Sequence, residues 1–103
     1  MKELTNGCIE VVQKFINVFG SKWTLLVVGE IITGKNRFSQ IEKVLDISPK
    51  MLSETLKLLE QEKIVKREVK PTTPVIVEYH LTNKGYELES IILSIRDYTH
   101  KWL

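Results

Sequence analysis

The sequence predicts an α+β, mainly helical fold: a winged helix-turn-helix with a two-stranded wing and N- and C-terminal dimerisation helices, in one domain over 1–103. Three observations predict it. Two short capped helices with a tight connection occupy 39–60, a basic strand pair comes directly after them over 64–81, and a narrow apolar stripe runs along 83–103.

Size and charge set the frame. At 103 residues a single core is marginal, and burial in an oligomer would add to it. The mean hydropathy of −0.08 is that of a folded, water-facing chain. The net charge is +2, and it is unevenly spread. Residues 35–70 hold nine Lys/Arg against six Asp/Glu, and the remainder holds six against seven. The positive excess therefore sits on the helix pair and the strand directly after it, where a phosphate-binding surface would need it. No apolar run reaches membrane-spanning length, and the N-terminus lacks the layout of a signal peptide. The single cysteine cannot form an internal disulfide, which suits a reducing cytoplasm. No membrane partner is expected.

Taken in order, Asn6 or Thr5 can cap a first helix over 7–20. On it Cys8, Ile9, Val11, Val12, Phe15, Ile16, Val18 and Phe19 cover half the wheel. Gly20 ends it and Ser21 caps the next, over 22–33. There Trp23, Leu25, Leu26, Val27, Val28, Ile31 and Ile32 point nearly all round, as in a helix at the middle of a core. Gly34 supplies a left-handed stop. Asn36, Arg37 and Phe38 can form a single extended rung.

The stretch 39–60 is the most informative. Ser39 with Glu42 reads as a capping box starting a short helix to about Asp46. Ile47 bridges a tight connection, and Ser48 caps a second helix with Pro49 at its first position. That helix puts Met51, Leu52, Thr55, Leu56, Leu58 and Leu59 on one half of its wheel. Pro49, Lys50, Ser53, Glu54, Lys57 and Glu60 lie on the other. The pattern fits a helix that enters a DNA groove, and equally an ordinary packed pair with a solvated face.

The hairpin behind it favours the first, against a plain hairpin with surface lysines. A strand over 64–70, a turn at Pro71 to Pro74 and a strand over 75–81 make a wing with a basic arm. Val75, Val77, Tyr79 and Leu81 share its apolar face, with Ile76, Glu78 and His80 on the other. On this reading Ser48, Lys50, Ser53, Glu54 and Lys57 contact double-stranded operator DNA, with Arg67, Lys70 and Thr72 on phosphate or the minor groove. The alternative is a winged-helix protein–protein interaction module without a sensing role. An enzyme finds no support: His80 and His100 lack ligand or triad spacing with Cys8, and no glycine loop cradles a phosphate. No cofactor and no metal are expected.

Thr82 can cap a last helix to the C-terminus. Leu88, Ile91, Ile95, Tyr98 and Trp102 fall at alternating steps of three and four, the seam of a coiled coil. Packing back on the domain is the other reading. A seam pairing with its copy would present two reading helices to half-sites about 34–36 Å apart, or a multiple.

These motifs together resemble the HxlR family of bacterial winged-helix transcriptional regulators, relatives of the MarR group. The matching pieces are Cys8; Gly20-Ser21-Lys22-Trp23-Thr24; Gly34 with Arg37-Phe38; Ile47-Ser48-Pro49-Lys50-Met51-Leu52-Ser53; and Pro74 with Glu78-Tyr79-His80-Leu81-Thr82 and Gly85. They span most of the chain. Ile9 and Ser21 depart from the family pattern, which often has proline and glycine there. The resemblance implies a cytoplasmic, nucleoid-associated homodimer built from the first and last helices, with Val12 and Phe15 joining the seam, no catalytic activity, and operator DNA as partner. It also implies sensing of a small oxidant or electrophile at Cys8. The residues themselves favour a small buried hydrophobe at Cys8, at the centre of an apolar face and near Glu3 and Glu10, although a first-turn thiolate gains from the helix dipole.

Overall fold

The computed structural model of the chain describes residues 6–103. Six helices and one hairpin are found among them, in the order α1 (Asn6–Phe19), α2 (Thr24–Ile32), α3 (Phe38–Leu45), α4 (Pro49–Gln61), β1 (Val65–Lys70), β2 (Ile76–Leu81), α5 (Asn83–Tyr86) and α6 (Leu88–Trp102). The expected winged helix-turn-helix is therefore present as α3, α4 and the β1–β2 pair.

The hub is α2. Val27 and Val28 are fully buried and Thr24 and Ile31 nearly so, while the helix touches α1, α3, α4, α6 and β2. Its all-round apolar sequence thus marks the core, although Leu26 keeps one side exposed. Ser21 does not cap α2, which begins later than expected, at Thr24 after Trp23; its hydroxyl instead accepts from the Trp23 amide at 3.3 Å and lies 2.8 Å from Thr24 Oγ1. Gly34 closes the exit at φ +102°, a conformation that a side chain would strain.

The start of α3 differs from the expected capping box. The helix begins at Phe38, and Gln40 Oε1 accepts from the Arg37 amide at 3.2 Å. Ser39 and Glu42 lie too far along the chain to do this. The helix ends at Asp46, left-handed at φ 51°. A short polar side chain tolerates that conformation best after glycine. Ile47 is buried in the connection. Ser48 then caps α4 as expected, its Oγ accepting from the Met51 amide at 3.2 Å with Pro49 in the first turn.

The α4 wheel divides as the sequence predicts, with two exceptions. Leu52, Thr55, Leu56 and Leu59 are buried, Leu58 is half-buried, and Met51 is exposed. The buried leucines meet Ile41, Ile47, Ile64, Val65, Tyr79, Leu81 and Leu88 in one cluster. The buried Thr55 hydroxyl donates to the Met51 carbonyl at 2.8 Å, so its burial leaves no unpaired donor.

β1 and β2 pair antiparallel with Val65 opposite Leu81 and Lys70 opposite Ile76. Of the expected 36–38 rung, Phe38 instead begins α3, but the Asn36 carbonyl does accept from the Tyr79 amide at 2.8 Å, so β2 has a partner on both edges. The wing departs from simple alternation. Val75 lies before the paired strand and is exposed, whereas Glu78, on the face opposite Tyr79, is buried.

The last helix is two helices. Thr82 caps only α5, accepting from the Gly85 amide at 3.1 Å, and α6 begins at Leu88 after a break at Glu87. Gly85 sits against the Ile64 carbonyl, where a Cβ would collide. That close approach seats α5 on the base of the wing. Beyond it α6 is exposed from Leu93 onward, and the molecule is elongated, 56 × 27 × 24 Å with a radius of gyration of 15.5 Å, against about 13 Å for a compact chain of this size.

At the N-terminus, Asn6 is the first helical residue of α1 and Thr5 lies outside the described residues. Only the end of α1 reaches the core, where the Phe15 and Phe19 rings stack at 4.6 Å between centroids. Ile9, Val11, Val12 and Ile16 remain exposed.

Candidate nucleic-acid interface

Two elements hold the residues expected to meet DNA. On α4, burial of the leucine face turns Lys50, Ser53, Glu54 and Lys57 outward, and all four are exposed. Ser48 is exposed as well, but its hydroxyl is engaged in capping. Its contribution is to fix the start of the helix. Exposed Met51 adds an apolar contact beside Lys50 that the wheel assigns to the core.

The wing does not bring its three residues together. The ladder alternates, so Arg67 stands opposite Tyr79 while Lys70 shares the other face with Lys66, Glu68, Glu78 and His80. Thr72 is engaged in the turn: its hydroxyl donates to the Pro74 carbonyl at 2.7 Å, and its amide donates to the Lys70 carbonyl at 2.8 Å.

The Lys70 face contains a charge network centred on Glu78. Lys70 Nζ is 3.2 Å from Glu78 Oε1, His80 Nε2 is 3.0 Å from the same oxygen, and Arg37 NH2 is 4.0 Å from Oε2. His80 Nε2 is also 3.2 Å from Glu68 Oε1. Lys70, followed by His80, holds the Glu78 carboxyl below the usual carboxylate range, against the opposing effect of burial. Glu68, Glu78 and His80 have the ligand types and closeness for a metal ion, with donor atoms within 4.8 Å of one another. Lys70 already occupies the shared Glu78 oxygen, so the cluster is satisfied as an ion-pair network.

Sequence reasoning missed Arg37 and Glu78. The available signal was the pairing of Glu68 with Glu78 directly across the ladder. Two like charges in that position are unfavourable unless cations lie between them.

The flanking helices carry the remaining expected residues. Ile91, Ile95, Tyr98 and Trp102 form an exposed stripe on α6, with Tyr98 62% and Trp102 65% exposed. Ser90, Ile91, Ser94, Ile95 and Tyr98 line a shallow groove on it. Leu88 does not join the stripe: it is 6% exposed and part of the core. Its place at the first turn of α6, against α5, turns it inward. Val12 is exposed and Phe15 half-buried. Cys8 is exposed in the first turn of α1, which corrects the buried reading. The domain core extends under α1 only as far as Phe15, so the centre of its apolar face lies beyond cover. Among the described residues no single helix is long and apolar enough to cross a membrane.

Comparison with known proteins agrees with this architecture. A family model described as HxlR-like helix-turn-helix matches residues 18–103. The HTH-type transcriptional regulator YvaP of Bacillus subtilis is 41% identical over 92 residues, covering 88% of this chain and 85% of YvaP. The reduced form of the transcriptional regulator YodB from B. subtilis superposes with a TM-score of 0.80 at 33% identity, covering 97% of this chain and 95% of that one. YodB is also similar in its diamide-treated form (TM-score 0.74, 32% identity, coverage 98% and 97%) and its quinone-bound form (0.76, 30%, 88% and 96%). The redox regulator HypR in its oxidised form gives 0.81 at 35% identity, covering 87% of this chain and 94% of HypR.

Proposed function

Because the chain belongs to the HxlR-like helix-turn-helix family of transcriptional regulators, we propose that it is a sequence-specific regulator binding operator DNA as a cytoplasmic homodimer. The observation that carries this reading is α4. Its start is fixed by Ser48, its leucine face is buried, and Lys50, Ser53, Glu54 and Lys57 are exposed. A rigid helix with a donor-rich outer face suits major-groove readout, in which lysines meet guanine or phosphate and Glu54 accepts from a cytosine amino group. Arg67 and Lys70 grip phosphate from the two faces of the wing. The exposed α6 stripe, with Val12 and Phe15, supplies the dimer contact, and the two copies read two half-sites.

A gel shift on the DNA flanking the gene tests this. Wild type binds with a steep salt dependence, because neutralised phosphates release counterions. Lys50→Ala with Arg67→Ala weakens binding to every sequence. Undiminished binding by that double variant sinks the assignment of these residues, and weak binding with a flat salt response overturns the DNA reading in favour of a protein–protein module.

Control is assigned to Cys8. Its exposure, and the likeness to regulators solved in diamide-treated, quinone-bound and oxidised forms, support this. A quinone would add at the sulfur. Diamide would take two electrons and two protons from a pair of thiols, joining Cys8 to Cys8 of the second copy or to a small thiol. Either treatment lowers the DNA affinity of wild type and leaves Cys8→Ser unchanged. Identical responses of the two proteins exclude Cys8 as the sensor.

A further inference from the structure

The wing contains a contradiction in charge. An element proposed to hold phosphate carries two glutamates directly opposite each other, Glu68 and Glu78. One of them, Glu78, is only 9% exposed. Burying a carboxylate is costly, like charges across a ladder repel, and an acid beside DNA repels phosphate. An arrangement that accepts all three effects has an offsetting role, and the contacts of Glu78 indicate which.

β2 is held on both edges, by β1 and by the Asn36 carbonyl. Glu78 therefore lies on a fixed backbone between two cations from different elements. Lys70 ends β1 immediately before the wing turn, and Arg37 immediately precedes α3. Arg37 and Val77 also line the shallow groove between the start of α3 and the wing, with Phe38, Ser39 and 74–76. The carboxylate reaches Lys70 at 3.2 Å and Arg37 at 4.0 Å, on different oxygens. Neither cation is consumed, since the Lys70 side chain stays 45% exposed and Arg37 about half exposed. An ammonium has three donors and a guanidinium five. One or two on Glu78 leave the rest for phosphate. Arg37, Lys66 and Lys70 outweigh Glu68 and Glu78 by one charge, so the face stays positive.

We propose that Glu78 is a positioning residue for DNA binding, holding Lys70 of the wing and Arg37 of the helix-turn-helix in one rigid arrangement before phosphate arrives. The inference rests on the DNA-binding reading above. A free lysine loses much of its rotamer freedom on meeting phosphate, and a lysine already held loses less. Glu78 acts through that difference.

The test turns on sign. Glu78→Gln removes a negative charge, so simple repulsion predicts tighter DNA binding. Positioning predicts the reverse: affinity falls about 3–10-fold and the salt slope becomes shallower by up to about 1. In a Lys70→Ala, Arg37→Ala background the same substitution changes affinity less than about twofold, because its targets are gone. Tighter or unchanged binding by Glu78→Gln overturns the proposal, as does an equal loss in both backgrounds, which indicates a merely structural role. Failure of wild type to bind DNA instead sinks the functional reading. The clasp has its own readout in either case. Carboxyl NMR of the free protein follows the Glu78 titration, which moves up toward the ordinary glutamate range in Lys70→Met. An unmoved titration overturns the clasp without DNA and without relying on Glu78→Gln to fold.

Discussion

Helices α4 and α6 use their apolar residues in opposite ways. Five of the 13 residues of α4 are large and apolar, and three of them, Leu52, Leu56 and Leu59, are buried. Seven of the 15 residues of α6 are large and apolar, yet Leu88 alone is buried. Apolar content therefore does not decide burial here; cover does. α4 lies against α2, α3 and β1, whereas α6 meets α2 and α5 and is exposed from Leu93 onward. The apolar face of α4 is covered by its own chain. α6 carries apolar surface that its own chain leaves uncovered, and such surface marks an interaction site.

The largest expected effect breaks the α6 side of this comparison. Ile95→Asp with Tyr98→Asp puts two charges into the exposed stripe, where the proposed partner would bury them. Sedimentation then shows monomer in place of dimer. Operator affinity falls by about 10²–10⁴-fold, because the second half-site contact ceases to be intramolecular. The monomer keeps its circular dichroism spectrum, since neither side chain enters the core. Retention of the dimer would place the interface elsewhere.

The same kind of truncation on the two helices sharpens it. Leu56→Ala removes a side chain that is 1% exposed, and costs about 2–5 kcal/mol in the lost transfer energy and the cavity left behind. For a chain of this size that is a large part of the whole stability. Ile95→Ala, compared with Ile95 in a Tyr98→Asp background that keeps the chain monomeric, changes stability by less than about 0.5 kcal/mol. Urea unfolding at fixed protein concentration separates the two. Equal costs would mean that α6 is covered within its own chain.

Much of this contrast is legible in sequence. The broad leucine face of α4 predicts a core helix, and the steps of three and four from Ile91 to Trp102 predict a seam. The Ser48-Pro49 start is a local signal, set by one hydroxyl and one amide, and it holds in the structure. The errors occur where a tertiary partner decides. Gln40, not Glu42, caps α3 because the Asn36 carbonyl is docked on β2 and the helix begins directly after Arg37. Leu88 fits the seam spacing, but the break at Glu87 turns it into the core. Cys8 sits at the centre of an apolar face, but no periodicity reveals how far the core beneath that face extends. Glu78 reads in sequence as part of a mixed strand face. Its role depends on Arg37, 41 positions earlier, reaching the same carboxylate.

The wing network gives the smallest expected effect, and it belongs to neither of the two helices compared above. Lys70, then His80, lower the folded-state affinity of Glu78 for a proton. A carboxyl whose folded pKa is depressed binds fewer protons folded than unfolded, so it stabilises the fold above its unfolded pKa, about 4.3. That contribution is lost as pH falls through the depressed folded value. Arg37 and Glu68 face the same cluster. The difference in melting temperature between wild type and Glu78→Gln therefore shrinks as the pH falls through the acid range. Lys70→Met reduces the neutral difference, whereas Ile95→Ala leaves it unchanged, because the α6 stripe has no part in the network. A wild-type advantage that grows as the pH is lowered would reverse the sign and show that the Glu78 carboxyl is held above the ordinary glutamate range, with burial outweighing Lys70.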